Sequence, residues 1–484
     1  MTIWRCFMLN LLLSCLLGMV APQSVPGIVE PTNQVFVKFK DGTKDEQKEE
    51  MVRKHLRGSS SVHHYENIPN LSLVAFPSET RTSEVTDLVE RLNDGGMFEF
   101  VEQDREFVAS FDQVIPNDAG FPQSWGHRNI GQNGGVSNFD MKSTMAWTIS
   151  QGSPSIRVMI IETGVQMNHP DLNMSEERDF TTGAVNGIPG TGQLNSCDDH
   201  GTAVAGVIAS RINNSIGTTG LSPLSPVVSA KVGSANVPCD GSWSGQTSWT
   251  VNAINWAASN GIRVTNNSNS YGFFSSAMNS AYSATRNSGL VHFASSGNGG
   301  TNSISYPAAY SSVNAIGAAS RFGQRASFSS YGSDLFVVAP GQSIYTTDRT
   351  GSSGYSTGSY ATMDGTSFSS PYVAALAALV LSKNSSLTPS QVEVIIRQST
   401  TDMSPSGFDA QTGWGMVNAN EALLDTPSSC GSDLNDDGTV NGADLTILLG
   451  QWGTCSNCSS DLNGDGQVNG ADLSILLGSW GGCD

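Results

Sequence analysis

Positive charge is scarce in this sequence. Lys and Arg number 24 in 484 residues against 43 Asp and Glu, a formal charge of -19, so nucleic acid or an anionic bilayer would be repelled. Charge of either sign is thin, at 14%. The surface must therefore be largely uncharged, rich in Ser, Thr, Asn and the turns of 52 glycines. Long apolar runs are missing beyond the first two dozen residues, which excludes a membrane span there. The N-terminal MTIWRCFMLNLLLSCLLGMVAPQS carries an apolar stretch, Phe7 to Val20, too short and too early to cross a bilayer. Residues 1–24 therefore read as a secretory signal. A lipoprotein-type site ending at Cys15 is the weaker alternative, because apolar residues continue past it. Export to a place where disulfides persist is expected, and six cysteines lie beyond the signal: Cys197, Cys239, Cys430, Cys455, Cys458 and Cys483.

Three sections follow the signal. Residues 31–110 read as a small α/β unit, in which QVFVKFK alternates as a strand, KDEQKEEMVRKHL has helical charge spacing, LSLVAF is strand-like and VTDLVERLND is amphipathic. IPNDAGFPQSWGHRNIGQNGG marks a boundary. From 116 to 425, aliphatic runs (RVMII, VVSAKV, RVTNNS, LVHFAS) alternate with helical ones (TAVAGVIAS, SWTVNAINWAAS, SPYVAALAALVLS). That alternation predicts an α/β fold with a mostly parallel sheet flanked by helices, and functional groups at the carboxyl ends of the strands. Residues 430–484 hold a repeat: DLNDDGTVNGADLTILLGQWG from Asp433 and DLNGDGQVNGADLSILLGSWG from Asp461, each a loop followed by a helix.

The run Val158–Ile161 ends in Glu162, then Thr163 and Gly164. An acid at the mouth of a buried strand requires a partner. His200 opens HGTAVAGVIAS, and Ser367 follows a Gly-Thr turn at the start of another helix, with Pro371 about one turn in. Asn298 stands on a glycine-flanked loop after a strand. A carboxylate, an imidazole and a hydroxyl together make an activated nucleophile, and an amide with helix N-terminal N–H groups can steady an oxyanion. Singly, each has a plainer reading as ion pair, cap or turn residue.

Taken in this order and these settings, Glu162, His200, Asn298 and Ser367 resemble the catalytic residues of the subtilisin-like serine proteases, or subtilases. The likeness spans roughly residues 116 to 424, including YPAAYSSVNAIGAAS, FSSYGSDLFVVAPG and GWGMVNANEAL. It implies a secreted serine endopeptidase acting on proteins or peptides, with residues 31–110 as an inhibitory propeptide cut away between Val108 and Pro116. The departure is Glu162, where the family expects Asp. One more methylene moves the carboxylate about 1.5 Å, so the charge should survive and the alignment suffer. Asp198 and Asp199 precede His200 but are poorly placed to substitute. The alternative is a catalytically impaired homologue that binds peptides or serves as a scaffold.

By the same resemblance, Ser244, Gly245 and Gln246 flank the distal acyl-side subsites, Ser270, Tyr271 and Gly272 the opposite side, and Ser295, Ser296 and Gly297 the pocket beside the scissile bond. RINNSIGTTG resembles the loop that holds a structural Ca²⁺ in many subtilases, with Asn214 and the carbonyls of Ile212, Ile216 and Thr218 as ligands, joined by Asp171. The repeat carries its own metal pattern, oxygen donors at positions 1, 3, 5, 7, 9 and 12. These are Asp433, Asn435, Asp437, Thr439, Asn441 and Asp444, then Asp461, Asn463, Asp465, Gln467, Asn469 and Asp472. Asp at position 12 and paired loop-helix units resemble the EF-hand-like dockerin module, which implies a cohesin-like partner; a monomer is expected otherwise. The equal spacing of Cys430 to Cys455 and Cys458 to Cys483 suggests a disulfide within each unit, with Cys197 to Cys239 elsewhere, though other connectivities remain open.

Overall fold

The computed structural model describes residues 30–65, 67–106, 113–190, 192, 194–403, 405–427, 431–435, 439–455, 458–463 and 465–482. The signal, part of the expected cleavage zone, Asp437, Cys430 and Cys483 lie outside the described residues. The chain divides into two compact units, residues 1–111 and 112–484.

In the first unit, β1 (Glu30–Lys38) turns Val35 and Val37 inward by strand alternation. Then come α1 (Asp45–His55), β2 (Ser61–His64), β3 (Leu71–Ala75), α2 (Thr82–Asp94) and β4 (Phe100–Glu106). The strands form an antiparallel sheet in the order β2-β3-β1-β4, and Val52, Leu56, Val85 and Leu92 complete its core. The strand β2 was not legible in the sequence because all four of its residues are exposed, leaving no apolar alternation.

In the second unit a single turn, α3 (Ser143–Ala146), precedes β5 (Val158–Glu162), β6 (Met174–Asp179), β7 (Ile188–Pro189), α4 (His200–Ala209), β8 (Val227–Lys231), β9 (Gly233–Ala235) and β10 (Trp243–Gly245). There follow α5 (Thr247–Ser259), β11 (Val264–Asn267), α6 (Ser276–Asn287), β12 (Val291–Ser295), β13 (Asn314–Ala319) and β14 (Leu335–Pro340). The body closes with β15 (Ile344–Thr347), β16 (Tyr360–Met363), α7 (Thr366–Lys383), α8 (Pro389–Gln398) and α9 (Ala419–Leu424). Eight strands form one sheet, β14-β13-β12-β11-β5-β8-β6-β7, parallel except at β6–β7. All five residues of β5 are buried, as are those of β8 and β12, which is why these strands read as largely apolar runs, interrupted at Ser229 in β8 and His292 in β12. The chain passes from β5 to the β8 side and returns to β11 on the other, so β5 stands where the strand order reverses and a crevice opens beyond the strand ends. Helix α7 is buried from Thr366 to Leu381. Pro371 sits in its second turn, deeper than its sequence setting suggested. The amide that Pro371 lacks would have bonded the Ser367 carbonyl, and the Ser268 hydroxyl donates to that carbonyl instead, at 2.6 Å.

The repeat folds as β17 (Thr439–Val440), α10 (Gly442–Gly450), β18 (Gly453–Thr454), β19 (Gln467–Val468), α11 (Gly470–Gly478) and β20 (Gly481–Gly482). β17 pairs with β20 and β18 with β19, so each unit's strands are completed by the other's. Val440, Leu448, Val468 and Leu476 make the shared core. Cys197 pairs with Cys239 (Cα–Cα 5.2 Å). The expectation of a disulfide inside each repeat fails: Cys455 pairs with Cys458 across the junction (Cα–Cα 5.9 Å). The β18–β19 pairing folds the end of the first repeat onto the second, bringing these two cysteines within bonding reach.

Candidate active site

Glu162 ends β5 with 1% of its surface exposed, and His200 is the first residue of α4. Helix α4 can approach so closely because of Gly201, where a Cβ would stand 2.2 Å from the Gly164 carbonyl. Glu162 Oε1 lies 3.1 Å from His200 Nδ1. The approach is off the N–H direction, however, and Oε1 makes no hydrogen bond of acceptable angle among the described residues. Oε2 accepts the Thr163 N–H at 3.2 Å. The distance is thus in range and the direction is not, so the Glu162 charge leads the interaction and the hydrogen-bonding part is weaker. Neither neighbour is available as a substitute: Asp198 is paired with Lys231 at 2.8 Å and Asp199 with Arg349 at 3.2 Å.

Electrostatics single out His200 among the four histidines of this unit. Burial drives His127 down to about 4 and His292 to about 3, and it also lowers His169. For His200 burial again favours the neutral ring, but the Glu162 charge and contact outweigh it and the pKa is raised from the ordinary 6.5. A ring that gains a proton readily and sits with its side chain 27% exposed is suited to general-base work.

Ser367, second residue of α7, is 8% exposed, and its hydroxyl donates to the Ser268 carbonyl at 2.9 Å. Among the described residues no hydrogen bond joins this hydroxyl to the His200 imidazole, and such contacts often tighten only when substrate is present. Asn298 follows β12. Its Oδ1 accepts both the Thr366 N–H and the Thr366 hydroxyl, each at 2.9 Å, which leaves the Nδ2 group as the free end of the amide. Gly365 has φ +154°, and a Cβ there would lie 3.5 Å from Asn298 Nδ2. The Ser367 N–H, in the first turn, has no intrahelical acceptor. Glu162, His200, Ser367 and Asn298 line one cleft of about 580 Å³ with Ser268, Asn269, Ser270, Ser295, Gly297, Trp243 and Tyr355.

The structure distributes the expected substrate contacts unevenly. Ser244 and Gly245 lie on β10, which pairs with β9, and Gln246 stands at the N-cap position of α5 without a side-chain capping bond. Ser295, Gly297 and Ser270 line the cleft, whereas Ser296 is buried with its hydroxyl on the Ser330 carbonyl at 2.9 Å. Tyr271 and Gly272 do not line it: they border a neighbouring depression with Gly245 and Gln246. Tyr271 turns inward, 8% exposed, its hydroxyl 3.1 Å from Thr250 Oγ1. Ser268 and Asn269, two residues earlier, hold the cleft edge instead, with Asn269 Nδ2 anchored on the Ile161 carbonyl at 2.7 Å. Counting forward along NNSNSYG from the end of β11, where Ser268 and Asn269 come first, would have found this register.

The loop after α4 gathers carbonyl, amide and carboxylate oxygens. Asn213, Ser215 and Gly217 have positive φ (59°, 67° and 57°), and such strain at non-glycine residues persists only where the surroundings impose it. Among the described residues, no backbone hydrogen bond ends on the carbonyls of Ile212, Ile216 or Thr218. Asp171 is fully buried; its Oδ1 accepts from Asn214 Nδ2 at 2.6 Å and its Oδ2 from the Thr218 N–H at 3.1 Å. Burial pushes the Asp171 carboxyl up to about 6, and the charge of Asp118 adds to the effect. Asp118, overlooked in the sequence, is 2% exposed and accepts the N–H groups of Asn213 and Asn214 at 2.9 and 3.0 Å. Two buried carboxylates beside free carbonyls suit a hard cation.

In the repeat, Asp444 and Asp472 are buried and accept backbone N–H groups. Asp444 bonds Leu434, Asn435 and Asn441, and Asp472 bonds Leu462, Asn463 and Asn469. Burial opposes ionisation of Asp444, but these bonds outweigh it and hold its carboxyl low; for Asp472 the Asn469 bond leads. Asn441 and Asn469 cap their helices. Asp461 accepts from Asp465 and Gly466, and Asp465 accepts from Gln467. Asp433, Asn435 and Thr439 lie in the matching first loop, whose donors are likewise oxygens. Among the described residues no group of three or more His, Cys, Asp or Glu could hold a metal by itself, so carbonyl and amide oxygens would have to contribute.

The profile of the subtilase family matches residues 153–415, and that of the dockerin type I domain residues 431–478. A subtilisin of Bacillus pumilus is 38% identical over 279 residues, 56% of this chain and 93% of the relative. An alkaline protease of Shouchella clausii is 31% identical over 361 residues, 75% of this chain and 81% of the relative. A solved protease structure from Pseudoalteromonas arctica, 27% identical, superposes with a TM-score of 0.55 over 64% of this chain and 99% of its own. The subtilisin-like sheet, the cleft at its strand ends and these matches agree, and the chain belongs to the subtilase family of serine endopeptidases, with a dockerin type I module at its C-terminal end.

Proposed function

We propose that the protein is an exported, calcium-bound endopeptidase that hydrolyses peptide bonds through a Ser-His-Glu variant of the family's triad. The observation that carries this reading is the 3.1 Å contact between Glu162 and His200 at the mouth of the cleft that Ser367 and Asn298 share. His200 takes the Ser367 proton as the hydroxyl attacks the carbonyl, and Glu162 stabilises the imidazolium. Asn298 Nδ2 and the Ser367 N–H receive the oxyanion. His200 then returns the proton to the leaving amine. Residues 31–110 act as a removable inhibitory leader after signal cleavage at the N-terminus, and the dockerin module docks a cohesin-like protein. The off-axis Glu162 contact also favours a second reading, an impaired homologue that binds peptides. Labelling with a fluorophosphonate together with digestion of a peptide library separates the two, since only the first leaves a modified serine and cut peptides.

His200 must be neutral to accept the proton, and its pKa is raised, so kcat/KM should rise with pH through a midpoint above about 6.5. A profile measured from pH 5 to 9 that is flat in this range removes His200 from the role.

Calcium, when bound, would neutralise Asp171 and Asp118 and satisfy the carbonyls of Ile212, Ile216 and Thr218 with Asn214, fixing the loop that follows α4. Asp433, Asn435, Asp437, Thr439, Asn441 and Asp444, with their counterparts in the second repeat, would hold two further ions. Chelator is expected to lower Tm, because a ligand at about 100 times its Kd stabilises by about 2.7 kcal/mol. Asp171→Asn should lose most of the shift attributable to the catalytic domain. An identical Tm with and without chelator refutes the site.

A further inference from the structure

We propose that Lys231 and Asp198 form a buried ion pair that positions the Glu162–His200 couple, a role that rests on the catalytic reading above. Lys231 ends β8 directly opposite Glu162 in the parallel ladder. Its side chain is 3% exposed and that of Asp198 is fully buried, with Nζ 2.8 Å from Asp198 Oδ2. Nζ also donates to the Thr163 carbonyl. Asp198 Oδ2 accepts the Asn195 N–H at 2.9 Å, and Oδ1 accepts the Ala235 N–H at 2.7 Å. Three parts of the site are joined at this pair. Thr163 follows Glu162, the turn from Asn195 leads into His200, and Ala235 belongs to β9, whose partner β10 borders the cleft.

A buried ion pair is a weak source of stability, because desolvation offsets the attraction, and an apolar pair of similar volume could hold the same segments together. An apolar pair could not accept two backbone N–H groups and donate to a carbonyl at fixed directions. That difference matters at Thr163. Its N–H is taken by Glu162 Oε2 and its carbonyl by Lys231, so the peptide on each side of it is held. Glu162 has one more rotatable bond than Asp and only an off-axis contact to His200, so its carboxylate depends on that anchoring. The expected consequence is a catalytic effect separable from stability.

The test compares the full mature protein with Lys231→Met, Asp198→Asn and the double variant. Melting temperature, kcat, KM and the pH profile are measured on a small peptide, with active sites counted by fluorophosphonate. Each single change leaves a buried charge unpaired and should lower Tm. In the neutral double variant Tm should recover, whereas kcat per active site should stay reduced about tenfold or more, with KM little changed and the rising pH limb displaced downward as Glu162 leaves the ring. A double variant with the wild-type kcat and limb overturns the proposal. Should it fail to fold, Lys231→Arg keeps the cation but not the geometry: reduced kcat at titratable sites supports the positioning role, and wild-type kcat overturns it. The wild-type protein run alongside reports on the catalytic reading separately, since it alone must label and hydrolyse for that reading to hold.

Discussion

Ser367→Ala is expected to lower kcat by about a millionfold, the loss known for subtilisin itself when its nucleophile is removed, and to abolish fluorophosphonate labelling. The neighbouring hydroxyls cannot take over. Ser369 and Ser370 are fully buried, and Ser370 Oγ donates to Asn266 Oδ1 at 2.6 Å. What survives should be a residual rate above that in water, from the Asn298 amide and substrate binding alone. The fold should be nearly untouched, because the hydroxyl makes one hydrogen bond to the Ser268 carbonyl, worth about 1 kcal/mol. Melting curves of the two proteins should therefore almost coincide while the rates differ by orders of magnitude. An Ala variant that still cuts peptides at a comparable rate would place the nucleophile elsewhere.

The parts of this molecule that were legible in the sequence share a physical cause. Strands buried on both faces, such as β5, β8 and β12, are largely apolar, and an acid closing a run as aliphatic as Val158–Ile161 is conspicuous; Glu162 was singled out this way. His200 and Ser367 were legible because helix starts next to glycine announce themselves locally. The misplaced features depend on contacts that no local pattern records. The cleft edge at Ser268 and Asn269 lies in a Ser-Asn stretch without periodicity, and its register was set by where β11 ends and Tyr271 turns inward. Asp118 meets the loop at Asn213 and Asn214 across 95 and 96 residues of chain. The Cys455–Cys458 pairing follows from two repeats completing each other's strands, whereas equal spacing suggested self-contained units.

Glu162→Gln tests the acid of the proposed triad. The change keeps the side-chain length and removes the charge. Without that charge, burial acts on His200 unopposed, so the rising limb of the pH profile should move below its wild-type position. The amide can also present its N–H₂ to Nδ1 and favour the wrong tautomer, an effect that costs about 10⁴ in trypsin. The loss here should be smaller, about 10³, because the wild-type contact at 3.1 Å is not an aligned hydrogen bond and has less orientation to lose. Glu162→Asp supplies the opposite arm. The shorter acid suits the strand end that the family uses with Asp, so recovered alignment should raise kcat by about tenfold, within the roughly 100-fold cost of a 1 Å misplacement. If both substitutions leave kcat and the limb unchanged, Glu162 is a bystander, and both the Ser-His-Glu mechanism and an impairment caused by Glu162 are refuted. If Gln lowers the rate while Asp lowers it too, distance outweighs direction, and the site has been rebuilt around the longer side chain.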